Sequence, residues 1–245
     1  MKNWLGISSF LLLCLISLYS YYGTWPRYTK DAYKAETEFS VDRAMDHLEE
    51  ITQEPHYVGS EAHTAVRNYL INELEKLGLE VEIQEGYSLN PQAKTMNKPI
   101  NIFAKITGSA PTKSLVLLSH YDSVPQHSPG ASDDGVGLAA ILESLRAYMA
   151  TGAQPKNDII ILFSDAEELG LDGAKLFVEE YEELSDIGLV LNFEARGTGG
   201  PSNMILETNG GNKNLIKAFK TANPTYPVAS SLMYSVYKLL PNDTY

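Results

Sequence analysis

The sequence predicts a three-layer α/β domain, an αβα sandwich around a mixed, mostly parallel central sheet, preceded by one transmembrane helix. Three observations support this expectation. Beyond residue 100, short apolar runs typical of strands alternate with segments typical of helices, as in strand–helix–strand units. The runs over 114–119 and 158–163 are nearly all apolar, which fits strands covered on both faces. An uncharged apolar run opens the chain.

The N-terminal run, residues 4–22, has close to the ~20 residues that a bilayer-crossing helix requires. Tyrosine and tryptophan gather at its far end, as they do at membrane interfaces. A cleaved signal peptide is the alternative, but the run has no clear small-residue cleavage site. We therefore expect a membrane anchor or signal segment over 1–22, a linker over 23–39 and a folded domain over 40–245.

The folded domain shows its helix ends and strands in order. Ser40 is a suitable N-cap for a helix over 41–51, and Gly78 is a suitable C-cap for a helix over 61–77. Further strands are expected over 79–83, 101–106, 114–119, 158–163, 188–193 and 204–207. Further helices are expected over 137–148, 170–181 and 212–222.

Composition excludes two classes of site. The formal net charge is -12, and no basic cluster is present, which argues against a nucleic-acid partner. The single cysteine, Cys14, lies in the apolar N-terminal run, so the folded domain has neither a disulfide nor a thiolate metal site. Any metal must be held by histidine, aspartate and glutamate, a donor set typical of catalytic zinc.

Acidic residues and one histidine directly follow the predicted strands. They are His120 and Asp122 after the strand over 114–119, Glu167 and Glu168 after 158–163, and Glu194 after 188–193, while Asp133 and Asp134 open a helix. The carboxyl ends of parallel strands meet at one edge of a sheet, where ligands bind. Carboxylates gathered there would repel one another unless cations lay between them, which predicts two divalent metal ions. Each motif alone has an ordinary explanation, such as a turn or a helix start.

Three stretches carry a resemblance to a known family: HYDSVPQHSPGASDDGVGLAAILE, LFSDAEELGLDGAKLF and NFEARGTGG. They resemble the co-catalytic di-zinc aminopeptidase family, which includes glutamate carboxypeptidase II and secreted bacterial aminopeptidases. With the N-terminal membrane segment, the chain resembles the membrane-bound branch of vacuolar membrane proteases and endoplasmic reticulum metallopeptidases. The resemblance implies a membrane-anchored zinc exopeptidase, an aminopeptidase, that acts on peptides on the extracytoplasmic side.

The resemblance also implies roles for individual residues. His120, Asp133, Glu168 and Glu194 would bind two zinc ions, with Asp133 bridging them and a cis peptide bond after it. Glu167 would be the general base that activates a metal-bridging water and returns the proton to the leaving amine. Asp122 would hold the imidazole of the ligand histidine in one tautomer.

One position departs from the family pattern. The family has a further histidine ligand downstream of the position of Glu194, but this sequence has no histidine after His127. We expect His127, in a loop between two ligand motifs, to be solvated. The sequence therefore predicts a chain truncated at its C-terminus, with a second zinc site that lacks one ligand.

Three alternatives stay open at this point. The related zinc dipeptidases and deacylases share a similar histidine motif, although they insert a lid domain for which this sequence has no space. A single-zinc glutaminyl cyclase is possible on the same fold. A catalytically inactive binding or interaction protein is the third alternative, since domains of this kind can lose their metals.

Overall fold

The secondary structure of the chain follows its hydrophobic pattern. A computed structural model describes residues 2–23, 34–91, 94–125, 128–195 and 212–222. The helices are α1 (Lys2–Gly23), α2 (Val41–Ile51), α3 (Glu61–Lys76), α4 (Val136–Ala150), α5 (Asp172–Glu180) and α6 (Lys213–Ala222). The strands are β1 (Val81–Glu85), β2 (Ser88–Asn90), β3 (Thr95–Asn97), β4 (Ile100–Ile106), β5 (Ser114–His120), β6 (Ile159–Ser164) and β7 (Ile187–Asn192).

The described residues fall into two units, one with α2 to β7 and the other with α1 and α6. The first unit is built on a five-stranded sheet in the order β1-β4-β6-β5-β7. β5 pairs in parallel with both β6 and β7, whereas β4 is antiparallel to β6 and to β1. Within this sheet all strands except β4 point the same way, and two of the four pairings are parallel, which confirms a mixed sheet.

Both faces of the sheet are covered by helices. Alternate residues of β6 point to opposite faces: Ile161 and Phe163 join one buried cluster, and Ile160 and Leu162 join the other. The first cluster includes apolar residues of α2, α3 and α4, and the second includes Phe177 of α5. This confirms the predicted three layers and explains why β6 carries apolar residues throughout.

The helix ends agree with the predicted capping residues. The Ser40 side chain accepts a hydrogen bond from the amide of Arg43 at 3.3 Å, and α2 starts at the next residue. Gly78 follows α3 with a φ of +79°, in the left-handed region where glycine is favoured. Local chemistry thus fixes where α2 begins and where α3 ends.

Two features of the sheet differ from the sequence-based expectation. β1 begins at Val81, two residues later than the start of the predicted strand over 79–83. The short hairpin of β2 and β3 was not predicted, because its strands of three residues each are too short to show an alternating pattern. The strand expected over 204–207 lies outside the described residues.

α1 requires a correction. The N-terminal run is helical as predicted, and it exposes large apolar side chains such as Trp4, Phe10 and Leu13. Within the described ranges, however, no helix combines the length and the apolar character needed to cross a membrane. The prediction of a transmembrane helix is therefore not confirmed; serines recur among the apolar residues of α1.

Candidate metal centre

The predicted site residues lie at one edge of the sheet. β5, β6 and β7 run parallel, so their carboxyl ends meet there. His120 is the last residue of β5, Glu194 comes two residues after β7, and the Glu167–Glu168 pair follows β6. Asp133 lies in a tight turn, Ala131–Gly135, just before α4. The topology therefore gathers chain segments that are far apart in sequence.

Three of the four predicted ligands form one cluster. Ligand atoms of His120, Asp133 and Glu194 all lie within 4.8 Å of one another. His120 Nε2 is 3.1 Å from Asp133 Oδ1; the His120 side chain is 1% exposed and that of Asp133 is 48% exposed. Among the described residues, no other group of three or more histidine, cysteine or acidic side chains is arranged in this way. The cluster is therefore buried at His120 and open to solvent at Asp133.

The orientation of His120 suits a ligand. Its Nδ1 lies 2.9 Å from the backbone oxygen of Asp122 and 3.5 Å from Oδ1 of the same residue. With Nδ1–H donating to the carbonyl, Nε2 faces the cluster and is the nitrogen on which a metal ion would replace a proton. Burial alone would lower the pKa of His120, but hydrogen bonds with the carboxylates of Asp122 and Asp133 outweigh burial and raise this pKa well above its usual value. The surroundings thus favour positive charge at this position.

Asp122 connects the histidine to the next loop. Its carboxylate is fully buried and accepts hydrogen bonds from the amide of Glu167 at 2.9 Å and from the amide of Glu168 at 3.2 Å. The sequence predicted an acid that orients His120; in the structure the nearest partner of Nδ1 is the backbone oxygen, while the carboxylate holds the Glu167–Glu168 turn. One residue therefore contacts both parts of the site.

Glu168 lies close to the cluster but outside it. Burial, followed by the negative charge of Asp133, raises the pKa of Glu168 to about 7, although His120 partly offsets this. The carboxyl group is therefore near enough to interact with the cluster electrostatically. Crowding of acids raises such pKa values because each negative charge destabilises the next. A divalent cation bound at the cluster would lower the pKa of these carboxyl groups.

The turn before α4 fixes how Asp133 is presented. The peptide bond between Asp133 and Asp134 is cis, as predicted. The side chain of Asp134 is buried: Ser119 Oγ donates to its Oδ2, while Oδ1 makes no hydrogen bond within the described part of the chain. A Cβ on Gly137 would lie 2.5 Å from Asp134 Oδ2, so only glycine allows this packing. The two adjacent aspartates thus differ: one is buried and the other faces the cluster.

The donor set fits zinc. Zinc takes imidazole nitrogen and carboxylate oxygen at ~2.0–2.2 Å, and its catalytic sites leave a coordination position open. Donor atoms that already lie within 4.8 Å of one another need only small side-chain movements to reach a common ion. The half-exposed Asp133 leaves one side accessible to water and substrate. His127 lies outside the described residues, so its predicted solvation stays a prediction.

Sequence reasoning missed two buried histidines beside the site. His56 is 1% exposed and exchanges hydrogen bonds with Ser123: its amide donates to Ser123 Oγ at 2.9 Å, and the Ser123 amide donates back to its carbonyl at 3.3 Å. His63 is 3% exposed and pairs with Asp165. A signal for His63 was present, because it stands on the same face of α3 as Val66, at a core position.

The sequence of this chain matches a protein-family model and named relatives. The model of peptidase family M28 matches residues 101–244. The vacuolar membrane protease of Meyerozyma guilliermondii is 32% identical over 250 residues, which cover 96% of this chain and 25% of that protein. Endoplasmic reticulum metallopeptidase 1 of Mus musculus is 30% identical over 226 residues, covering 84% of this chain and 25% of that protein. The chain thus spans a quarter of the length of these relatives.

Solved structures share the fold. A glutaminyl cyclase of Porphyromonas gingivalis superposes with a TM-score of 0.66 at 21% identity, covering 83% of this chain and 80% of that chain. A Zn-dependent exopeptidase of Parabacteroides distasonis superposes with a TM-score of 0.61 at 21% identity, covering 80% of this chain and 78% of that chain. At such identities the likeness establishes the fold and leaves the reaction open.

Proposed function

The chain belongs to peptidase family M28, as the sequence resemblance predicted, and on that premise we propose that it is a zinc-dependent exopeptidase that removes residues from the N-terminus of peptides. The observation that carries the proposal is the cluster of His120, Asp133 and Glu194 beside the turn that bears Glu167. The described site is rich in carboxylates and the chain carries a net charge of -12. Such a site attracts a protonated amino terminus more than a carboxylate terminus.

Four side chains would hold the metal. His120, Asp133 and Glu194 would supply the donors of the cluster, and Glu168 would serve a second zinc ion that Asp133 shares. When bound, zinc supplies Lewis acidity, which polarises the scissile carbonyl and lowers the pKa of water. The second ion rests on the family resemblance together with the acidic group of Glu168 next to the cluster.

Glu167 would act as the general base. Its carboxylate would take a proton from the water that attacks the peptide carbonyl and would then give that proton to the departing amine, so that one water is consumed for each peptide bond broken. Asp122 supports this role because its carboxylate accepts hydrogen bonds from the amides of Glu167 and Glu168 and so holds this turn in place. The base is thus tied to the same residue that contacts the ligand His120.

The test combines metal content with hydrolysis. Purified protein should bind zinc and release nitroaniline from aminoacyl-p-nitroanilides, whereas Glu167→Gln should bind zinc equally and lose hydrolysis. A peptide with an N-terminal glutamine, assayed for ammonia release, separates this activity from glutaminyl cyclisation. Protein that binds no zinc and hydrolyses nothing would instead agree with the binding-protein alternative.

We also propose that the protein is associated with a membrane, with its peptidase unit on the extracytoplasmic side. The relatives are named as proteases of the vacuolar membrane and of the endoplasmic reticulum, and α1 exposes large apolar side chains along its length. The transfer of such apolar side chains from water into lipid lowers the free energy of the protein. Co-flotation with phosphatidylcholine vesicles should occur with the full chain and be lost when residues 2–23 are deleted.

A further inference from the structure

We propose that His63 is a positioning residue that couples the end of β5, which carries the metal ligand His120, to the turn that carries the general base Glu167. The proposal rests on the proposed peptidase function for its kinetic consequences. His63 lies on the first turn of α3 and is not a member of the metal cluster. Its two contacts join the end of β5 to the turn after β6.

The first contact is with Asp165, in the turn that follows β6. His63 Nε2 lies 2.9 Å from Asp165 Oδ1, and both side chains are buried. An ionised carboxylate can only accept, so Nε2 carries the hydrogen and donates it. The other carboxylate oxygen accepts from the amide of Ile100 at 2.8 Å. Asp165 stands two residues before Glu167, so its position determines where the turn with the base begins.

The backbone of Asp165 is fixed on both sides as well. Its amide donates to Asn101 Oδ1 at 3.1 Å, and its carbonyl accepts from the amide of Gly173 at 2.8 Å. A Cβ on Gly173 would lie 2.3 Å from that carbonyl oxygen, so glycine alone permits this approach of α5. The Asp165 side chain is therefore the part of this turn whose support comes from α3, through His63.

The second contact is with Tyr121, which lies between His120 and Asp122 in the sequence. The rings of His63 and Tyr121 are stacked, with centroids 4.8 Å apart and planes 10° apart. Tyr121 is fully buried, and its hydroxyl donates to the carbonyl of Ile100 at 2.7 Å. Stacking of His63 on this ring holds the backbone from which His120 and Asp122 extend toward the site.

One imidazole thus contacts both the end of β5 and the turn after β6. Its edge binds Asp165 and its face packs on Tyr121, so a shift of either segment disturbs the other. An apolar residue in place of His63 would remove one hydrogen-bond donor from a buried carboxylate, which destabilises the arrangement.

The chain offers a matched control in His47. This half-buried histidine of α2 also pairs with an aromatic residue: Nδ1 lies 2.6 Å from the Tyr69 hydroxyl, and the rings meet edge-on at 6.1 Å. Neither His47 nor Tyr69 has a role in the site. Loss of the His47 pair should affect stability alone, whereas loss of the His63 pair should also affect the geometry of the base and ligands.

The experiment compares His63→Phe, His63→Gln and His47→Phe with the wild type. The phenylalanine at position 63 keeps the stacking and removes the donor, whereas glutamine keeps a donor and removes the ring. We expect His63→Phe to lower kcat per zinc-loaded molecule by ~10- to 100-fold with little change in KM, the range seen when residues behind metal ligands are altered. His63→Gln should recover part of that loss, and His47→Phe should keep the wild-type kcat.

A second readout does not need hydrolysis. In metal-free protein, hydrogen exchange at the Glu167 and Glu168 amides should be faster in both His63 variants than in the wild type or in His47→Phe, because these amides depend on the turn staying in place. A wild type without peptidase activity would refute the proposed function, while amide exchange would still decide the coupling. The coupling itself is overturned if these amides exchange at the wild-type rate, or if kcat per folded molecule is unchanged in His63→Phe.

Discussion

Replacement of Asp122 by asparagine tests the internal support of the site. The carboxylate of Asp122 is buried and accepts two backbone hydrogen bonds, at 2.9 Å from Glu167 and 3.2 Å from Glu168. The amide group of asparagine has one oxygen, so in either orientation its NH₂ faces one of these two N–H groups. The substitution therefore removes at least one hydrogen bond to a charged acceptor. It also places the NH₂ group against a backbone N–H group, so that two donors face each other.

The size of the effect can be worked from these contacts. A hydrogen bond to a charged group contributes ~1.5–3 kcal/mol, and an unsatisfied buried donor costs a further ~1–3 kcal/mol. We expect Asp122→Asn to lower the free energy of unfolding by about 2.5–6 kcal/mol. Because the displaced amides belong to the base and a proposed ligand, we also expect kcat to fall by at least ~100-fold, the effect of misplacing a catalytic group by about 1 Å.

Urea unfolding and steady-state hydrolysis, each on zinc-loaded protein, measure the two effects. Asp186→Asn is the matched control, since this aspartate is exposed in the short segment before β7. It should change neither stability nor kcat. Stability and kcat of Asp122→Asn equal to those of the control would refute the conclusion that Asp122 holds the turn.

Three further changes have definite expected outcomes. Gly173→Ala should destabilise the protein by ~1–3 kcal/mol in urea unfolding, because the new methyl group would lie 2.3 Å from the Asp165 carbonyl oxygen; wild-type stability would contradict this packing. Burial would raise the pKa of Glu143, but hydrogen bonds from Arg146, the Ser40 amide and Arg43 outweigh burial and lower this pKa below 4.5. The ionised Glu143 therefore stabilises the fold above pH 4.5, and this contribution is lost as the pH falls below that value. The free energy of unfolding should therefore drop more steeply below pH 4.5 in the wild type than in Glu143→Gln, and parallel pH curves would contradict it. Zinc at 100 times its Kd should raise the free energy of unfolding by ~2.7 kcal/mol, and His120→Ala should abolish this gain if the cluster is the binding site.

The sequence predicts most of the fold because the relevant signals are local. Ser40 and Gly78 mark helix ends through their own hydrogen bonds and backbone conformation. The apolar run of β6 indicates a strand buried on both faces, and the structure shows it at the centre of the sheet. The direction of β4 leaves no trace in the pattern of its own residues, since parallel and antiparallel strands can bury the same side chains.

The site was predictable to the extent that it follows from topology. His120 and Glu194 end parallel strands, so the sheet itself brings them to one edge. His63 was not found, because its partner Asp165 is 102 residues away and the pairing depends on how α3 packs against the sheet. A buried histidine within an apolar helix face was the available signal, and the sequence analysis did not use it.

The most direct test of the proposed function is zinc content measured together with aminoacyl-p-nitroanilide hydrolysis, for the wild type and Glu167→Gln. Our account predicts that both proteins bind zinc with equal stoichiometry and that only the wild type hydrolyses the substrate. Equal activity in the two proteins would contradict the role of Glu167. A wild type without bound zinc would contradict the metal centre formed by His120, Asp133 and Glu194.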